Sequence, residues 1–147
     1  MKTFLYAFGL LLALVAAPGC NDDDDDNTPV NNTVQLQATL NGAQEVPANT
    51  STATGTFSGT YDKNTRLISY TVTYQGLTPV AGHIHQAAPG VSGPVIVPFE
   101  NVGTSPITGT ATLSEANGTK LLAGETYANL HTDAYPGGEI RGNITVQ

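Results

Sequence analysis

The sequence predicts an all-β domain, a Greek-key-like antiparallel β-sandwich or barrel of about eight strands. Three observations carry that prediction. Beyond Val34, apolar and polar residues alternate in run after run, the spacing that puts every second side chain on one face of a sheet. The runs are rich in Thr and other β-branched residues, which suit a pleated, half-buried surface. Clusters of Gly, Pro, Asn and Asp separate them, as turns between short strands require. No stretch of the domain reads as a convincing helix.

The elements follow in order. Val34, Leu36, Ala38 and Leu40 alternate with Gln35, Gln37 and Thr39, a half-buried strand that Asn41-Gly42 ends. The segment from Thr54 to Tyr61 sets Gly, Phe, Gly and Tyr against Thr and Ser. Ile68, Tyr70, Val72 and Tyr74 alternate with Ser69, Thr71 and Thr73, and Asp62-Lys63-Asn64-Thr65 joins these two segments as a hairpin. Further strands are expected at Gly82–Gln86, Val95–Phe99, Ile107–Leu113, Tyr127–Thr132 and Glu139–Val146. A weak internal echo relates His85-Gln86-Ala87-Ala88-Pro89-Gly90 to His131-Thr132-Asp133-Ala134-Tyr135-Pro136-Gly137, which suggests similar turn chemistry at two places.

The N-terminal segment has a different composition. Lys2 precedes an apolar run from Phe4 to Ala17, too short to remain as a transmembrane helix. It ends in Ala17-Pro18-Gly19-Cys20, and Cys20 is the sole cysteine. This resembles a bacterial lipoprotein signal, with Ala17 and Pro18 as departures from the usual pattern. The resemblance implies cleavage after residue 19, diacylglycerol on the Cys20 thiol and an acyl chain such as palmitate on its new amine, an anchor strong enough to hold. Residues 20–32 carry five consecutive aspartates, Asp22 to Asp26, which repel one another and read as a solvated tether. Acidic residues behind a lipidated cysteine also resemble an export tag of some Gram-negative lineages. The expected organisation is therefore a signal at 1–19, a lipidated cysteine and tether at 20–32, and one domain at 33–147, located at the outer membrane, with the export tag implying exposure at the cell surface.

The domain itself has four cations, Lys63, Arg66, Lys120 and Arg141, against seven acids. No basic stripe for nucleic acid exists, and a lipidated Cys20 leaves no disulfide. Stability has to come from the core, a metal, or both.

Several landmarks resemble the CHRD domain, found in chordin and in many bacterial secreted proteins. They include Leu40-Asn41-Gly42-Ala43-Gln44-Glu45-Val46-Pro47, Gly82-His83-Ile84-His85, and Gly93-Pro94-Val95-Ile96-Val97. The most specific are Gly124-Glu125-Thr126-Tyr127-Ala128-Asn129-Leu130-His131-Thr132 and Tyr135-Pro136-Gly137-Gly138-Glu139-Ile140-Arg141-Gly142. The resemblance spans Val34 to Val146 and implies an extracytoplasmic module. It implies no assigned chemistry, and chordin's growth-factor binding does not carry over to a bacterial lipoprotein. A fainter resemblance links His83-Ile84-His85 and the later His131 to the copper ligands of copper–zinc superoxide dismutases, which are Greek-key sandwiches as well. The chain lacks a fourth histidine to bridge to zinc, a zinc-loop cluster and a disulfide. A full copper–zinc site is excluded on ligand count, and a copper-only three-histidine site is not.

The three histidines of the chain are thus its candidate chemistry. His83 and His85 share one strand face, and all three point away from Ile84 and Leu130. Three imidazoles suit copper or zinc, with Asp133 or Glu139 orienting a ring nitrogen or adding an oxygen. The competing readings are a hydrogen-bonded framework tying the Gly-rich bends to Thr132, Asp133 and a Glu139/Arg141 pair, and a surface recognition patch. Arg141 could instead bind an anion. No catalytic nucleophile or carboxylate pair stands out. The first expectation is a non-catalytic binding or scaffolding module for an envelope or extracellular protein partner. The second is a copper- or zinc-binding protein centred on His83, His85 and His131, with redox activity as the extension of that reading.

Overall fold

A computed structural model describes residues 31–147. The expected signal (1–19), Cys20 and the acidic run lie outside the described residues. Alternation produces the strands where it was read: β1 (Thr33–Asn41), β2 (Thr54–Asp62), β3 (Leu67–Gln75), β4 (Ala81–Gln86), β5 (Val95–Pro98) and β6 (Ile107–Thr112). After a helix, α1 (Glu115–Leu122), come β7 (Thr126–His131), β8 (Ile140–Asn143) and β9 (Thr145–Val146). They form one antiparallel sheet in the order β5-β4-β7-β8-β1-β2-β3-β6, with β9 beside β1, curled until it is nearly closed like a barrel. Leu36, Leu40, Phe57, Ile68, Val72, Ile84, Leu130 and Ile140 fill its interior, each on the inward parity of its strand. The β2–β3 hairpin turns at Asp62, whose carboxylate accepts the backbone N–H groups of Asn64 and Thr65 at 2.8 Å.

Two features differ from expectation. A helix, α1, occupies Glu115–Leu122. Its cap is legible: the Ser114 hydroxyl accepts from the Asn117 N–H at 3.2 Å, with Glu115 in the first turn and Lys120 in the last. Its middle hides it, because Asn117, Gly118 and Thr119 are poor helix formers. Gly118 is there for packing, since a Cβ would collide with the Tyr61 hydroxyl. The second difference is at the C-terminus, where the expected single strand Glu139–Val146 divides. Ile144, fully buried, donates its N–H to Thr126 O at 3.0 Å, so β8 and β9 pair at different levels of β1. Ninth strand and helix apart, the all-β architecture stands as read.

The register that positions the histidines is one row across four strands. Asn41 at the end of β1 pairs with Arg141 of β8, Arg141 with Asn129 of β7, and Asn129 with His83 of β4. Ile84, Ala128 and Leu130 from these strands face the core. The opposite face of the same strands carries the site, covered by loops 87–94, 132–139 and 45–53.

Candidate metal centre

Strands β4 and β7 bring the histidines together because they are direct neighbours. His83 stands opposite Asn129, His85 opposite Tyr127, and Ala81 opposite His131. On β7, Tyr127, Asn129 and His131 share the face that His83 and His85 share on β4. Ring centroids are 5.0 Å apart for His83–His131, 5.3 Å for His83–His85 and 6.3 Å for His85–His131. One nitrogen from each ring lies within 4.8 Å of the other two. His85 is buried, and His83 and His131 are half-buried.

The loops fix the tautomers. His85 Nδ1 lies 2.8 Å from Gly93 O, and His131 Nδ1 lies 3.0 Å from Pro136 O. A carbonyl only accepts, which assigns the proton of each ring to Nδ1 and leaves Nε2 a bare lone pair. His85 Nε2 is buried without a hydrogen-bond partner. His131 Nε2 is 3.1 Å from His83 Nδ1 and 3.1 Å from Asn129 Oδ1. Backbone carbonyls holding the outer nitrogens while lone pairs converge inside is how proteins aim imidazoles at a metal. The echo between the two His-loop segments thus has a structural counterpart: each loop returns a carbonyl to its own histidine.

Electrostatics favour the neutral, ligating rings. Burial pushes His83 below the usual histidine range, and the neighbouring His131 and His85 push it further. Burial also lowers His131, against the opposing bond to Pro136, with His85 adding to the lowering. Protons compete with metal for the same lone pairs, so rings that resist protonation keep them available.

The remaining candidates sit elsewhere than expected. Asp133 is exposed and belongs to no cluster with the histidines. Glu139 is buried, but it accepts from the Thr132 and Ser51 hydroxyls, the latter at 2.7 Å, and orients no imidazole. The expected Glu139/Arg141 ion pair does not form: among the described residues the one salt bridge is Lys120–Glu125. Arg141, 1 % exposed, donates from Nη2 to Val91 O at 2.9 Å and lays its guanidinium 3.4 Å above the Tyr127 ring. Burial lowers its affinity for a proton, while Tyr127 and Glu45 act to raise it. Glu139 reaches only Ser and Thr hydroxyls and Arg141 faces a ring and a carbonyl, because β8 begins at Ile140 and leaves Glu139 in the bend.

Tyr127 was not singled out from sequence, yet it joins Arg141 to the site. Its ring stacks on His85 with centroids 4.7 Å apart and planes 1° apart. Because β4 and β8 flank β7 on opposite sides, His85 and Arg141 sandwich the tyrosine. The period-two run Tyr127, Asn129, His131 was a usable signal for this shared face. Nothing in sequence pointed to the carbonyls of Gly93 and Pro136.

Glu45 approaches from the loop after β1. It is buried, its Oε1 has no hydrogen-bond partner, and a Cβ at Gly138 would collide with its carboxyl group. Burial raises its pKa to about 7, against the opposing pull of Arg141 and a bond from the Val46 N–H.

No curated protein matches the chain. A family model, the CHRD domain, matches residues 36–144, well over half of its length.

Proposed function

Because the chain belongs to the CHRD-domain family, we propose that it acts as a non-catalytic binding module of the cell envelope whose ligand is one copper or zinc ion held by His83, His85 and His131. One observation carries this reading: one nitrogen of each of His83, His85 and His131 lies within 4.8 Å of the other two, while Nδ1 of His85 and of His131 is held on a backbone carbonyl. Tetrahedral zinc–nitrogen bonds put ligand nitrogens about 3.3 Å apart, so the widest gap in the cluster closes by at most about 1.5 Å. Imidazole favours copper(II) over zinc by intrinsic affinity. Three imidazoles leave at least one further coordination position on either ion, and a superoxide assay on the copper form tests whether the centre supports redox chemistry.

The setting is proposed from the sequence. The apolar leader, Cys20 and the aspartate run support an outer-membrane lipoprotein carried on a membrane anchor. Mass spectrometry of membrane-extracted protein, reading diacylglycerol and acyl mass on Cys20, tests that.

The test of the metal reading is elemental analysis with copper and zinc titration of purified protein carrying no histidine tag. One equivalent, lost in each of His83→Ala, His85→Ala and His131→Ala, supports it. A second reading draws on the same bonds: the imidazoles tie loops 87–94 and 132–139 to the sheet, a framework for binding an envelope protein. Absence of binding at neutral pH in the wild type overturns the metal reading in favour of the framework.

A further inference from the structure

We infer that Asn129 is the fourth ligand of the centre, giving its side-chain oxygen to the metal beside the three imidazoles. The inference rests on the metal reading above and extends it to the donor set and the class of ion it selects.

Placement is the first argument. Asn129 lies directly opposite His83, two residues before His131 on the same strand face, and diagonal to His85. It therefore stands at the floor of the triangle the histidines make. It is 2 % exposed, in a stretch whose other outward residues are aromatic or imidazole. A polar side chain so deep requires a partner.

Chemistry is the second. Asn129 Oδ1 is 3.1 Å from His131 Nε2. The proton of that ring is held on Nδ1 by Pro136 O, so Oδ1 faces a lone pair rather than an N–H. Nε2 also faces His83 Nδ1 at 3.1 Å, and His85 Nε2 is buried without a hydrogen-bond partner. His83 Nδ1, His131 Nε2 and Asn129 Oδ1 thus meet with at most one proton among them, on His83, and a nitrogen of His85 lies within 4.8 Å of one on each of the other rings. A cation resolves the repulsion of such a set. The alternative is an amide turned end for end, with Nδ2–H donating to Nε2 and blocking it.

The donor set also selects the ion. An amide oxygen is a hard, neutral ligand that suits a divalent ion and offers little to copper(I). A centre of three imidazoles and one amide oxygen favours zinc(II) or copper(II), without the soft sulfur donors that hold copper(I).

Zinc titration against a competing chelator, together with the visible spectrum of the cobalt(II) form, tests this on the wild type, Asn129→Leu, Asn129→Asp and His131→Ala. Asn129→Leu keeps the volume and should bind one zinc with a Kd raised about 10- to 100-fold. Its cobalt bands should shift, which a purely structural asparagine would not cause. Asn129→Asp should bind zinc more tightly, and it carries the test by itself if the leucine variant fails to fold. Copper(I) affinity should change less than threefold in Asn129→Leu. A wild type that binds zinc through its histidines, with Asn129→Leu equally tight or tighter and the cobalt spectrum unmoved, overturns the ligand role alone and identifies the amide as a cap. A wild type that binds nothing overturns the metal reading, and this inference with it.

Discussion

Replacing His85 with Phe separates what the site costs the fold from what it does. The ring survives, so stacking on Tyr127 at 4.7 Å is preserved. Two polar interactions change. The bond from Nδ1 to Gly93 O is lost, at about 1 kcal/mol. The buried, unpartnered Nε2 disappears as well, which returns about 1–3 kcal/mol of desolvation. The metal-free variant should therefore be between equal to and about 2 kcal/mol more stable than metal-free wild type. For a domain of this size that is a Tm higher by up to about 8 °C. With metal the order reverses. At a hundredfold excess over Kd, zinc adds about 2.7 kcal/mol to the wild type, a rise of about 11 °C, and nothing to the variant. Calorimetry at pH 8, with chelator and then with zinc, reads both. If the chelated variant is less stable than chelated wild type by about 2 kcal/mol or more, the bare lone pair is not a burden on the fold and the reasoning fails.

Other perturbations follow from the same geometry. Glu45 ionises near 4.5 when unfolded but only near pH 7 in the fold; native protein then holds a proton the unfolded chain has lost, so stability falls as pH rises from about 4.5 to 7. Solvent screening of the carboxylate keeps the loss to about 1–3 kcal/mol, and Glu45→Gln should flatten this part of a Tm-versus-pH curve. His83 and His131 are displaced downward, so metal-free protein should lose stability as pH drops below 6.5, where the unfolded chain protonates first; His83→Gln should weaken that slope in acid titrations followed by circular dichroism. Tyr127→Leu uncovers the Arg141 charge and opens a gap beside His85; a loss of about 3–5 kcal/mol is expected in urea titration. Leu130→Ala empties a fully buried position one residue before His131 and should cost about 3–4 kcal/mol, with metal affinity weakened because the strand that aims the imidazole loosens.

Period-two alternation made most of the sheet legible, because a barrel wall has one apolar and one polar face and β1 to β3 display both. Helix α1 escaped because Gly118 answers to the Tyr61 hydroxyl, a contact with a residue 57 positions away. The parity of His83, His85 and His131 was readable along each strand. Their convergence was not, since it depends on β4 pairing with β7 rather than with β3 or β5 alone. Asn129 and Tyr127 carried the same parity as His131, but what they face is set by the neighbouring strand. Glu139 and Arg141 were expected to satisfy one another, as opposite charges at i, i+2. The bend before β8 separates them, and each finds partners from distant loops, Ser51 for one and Val91 for the other.

The row Asn41–Arg141–Asn129–His83 also gives the domain a direction. Residue Thr33 opens β1 eight positions before Asn41, and an antiparallel strand advances about 3.4 Å per residue. The chain therefore enters the domain about 27 Å, measured along the strand, from the level of the imidazoles. Thr33 and the imidazoles thus mark opposite ends of the sheet. A fusion or surface coupling made ahead of Thr33 therefore leaves the imidazole end of the sheet unobstructed.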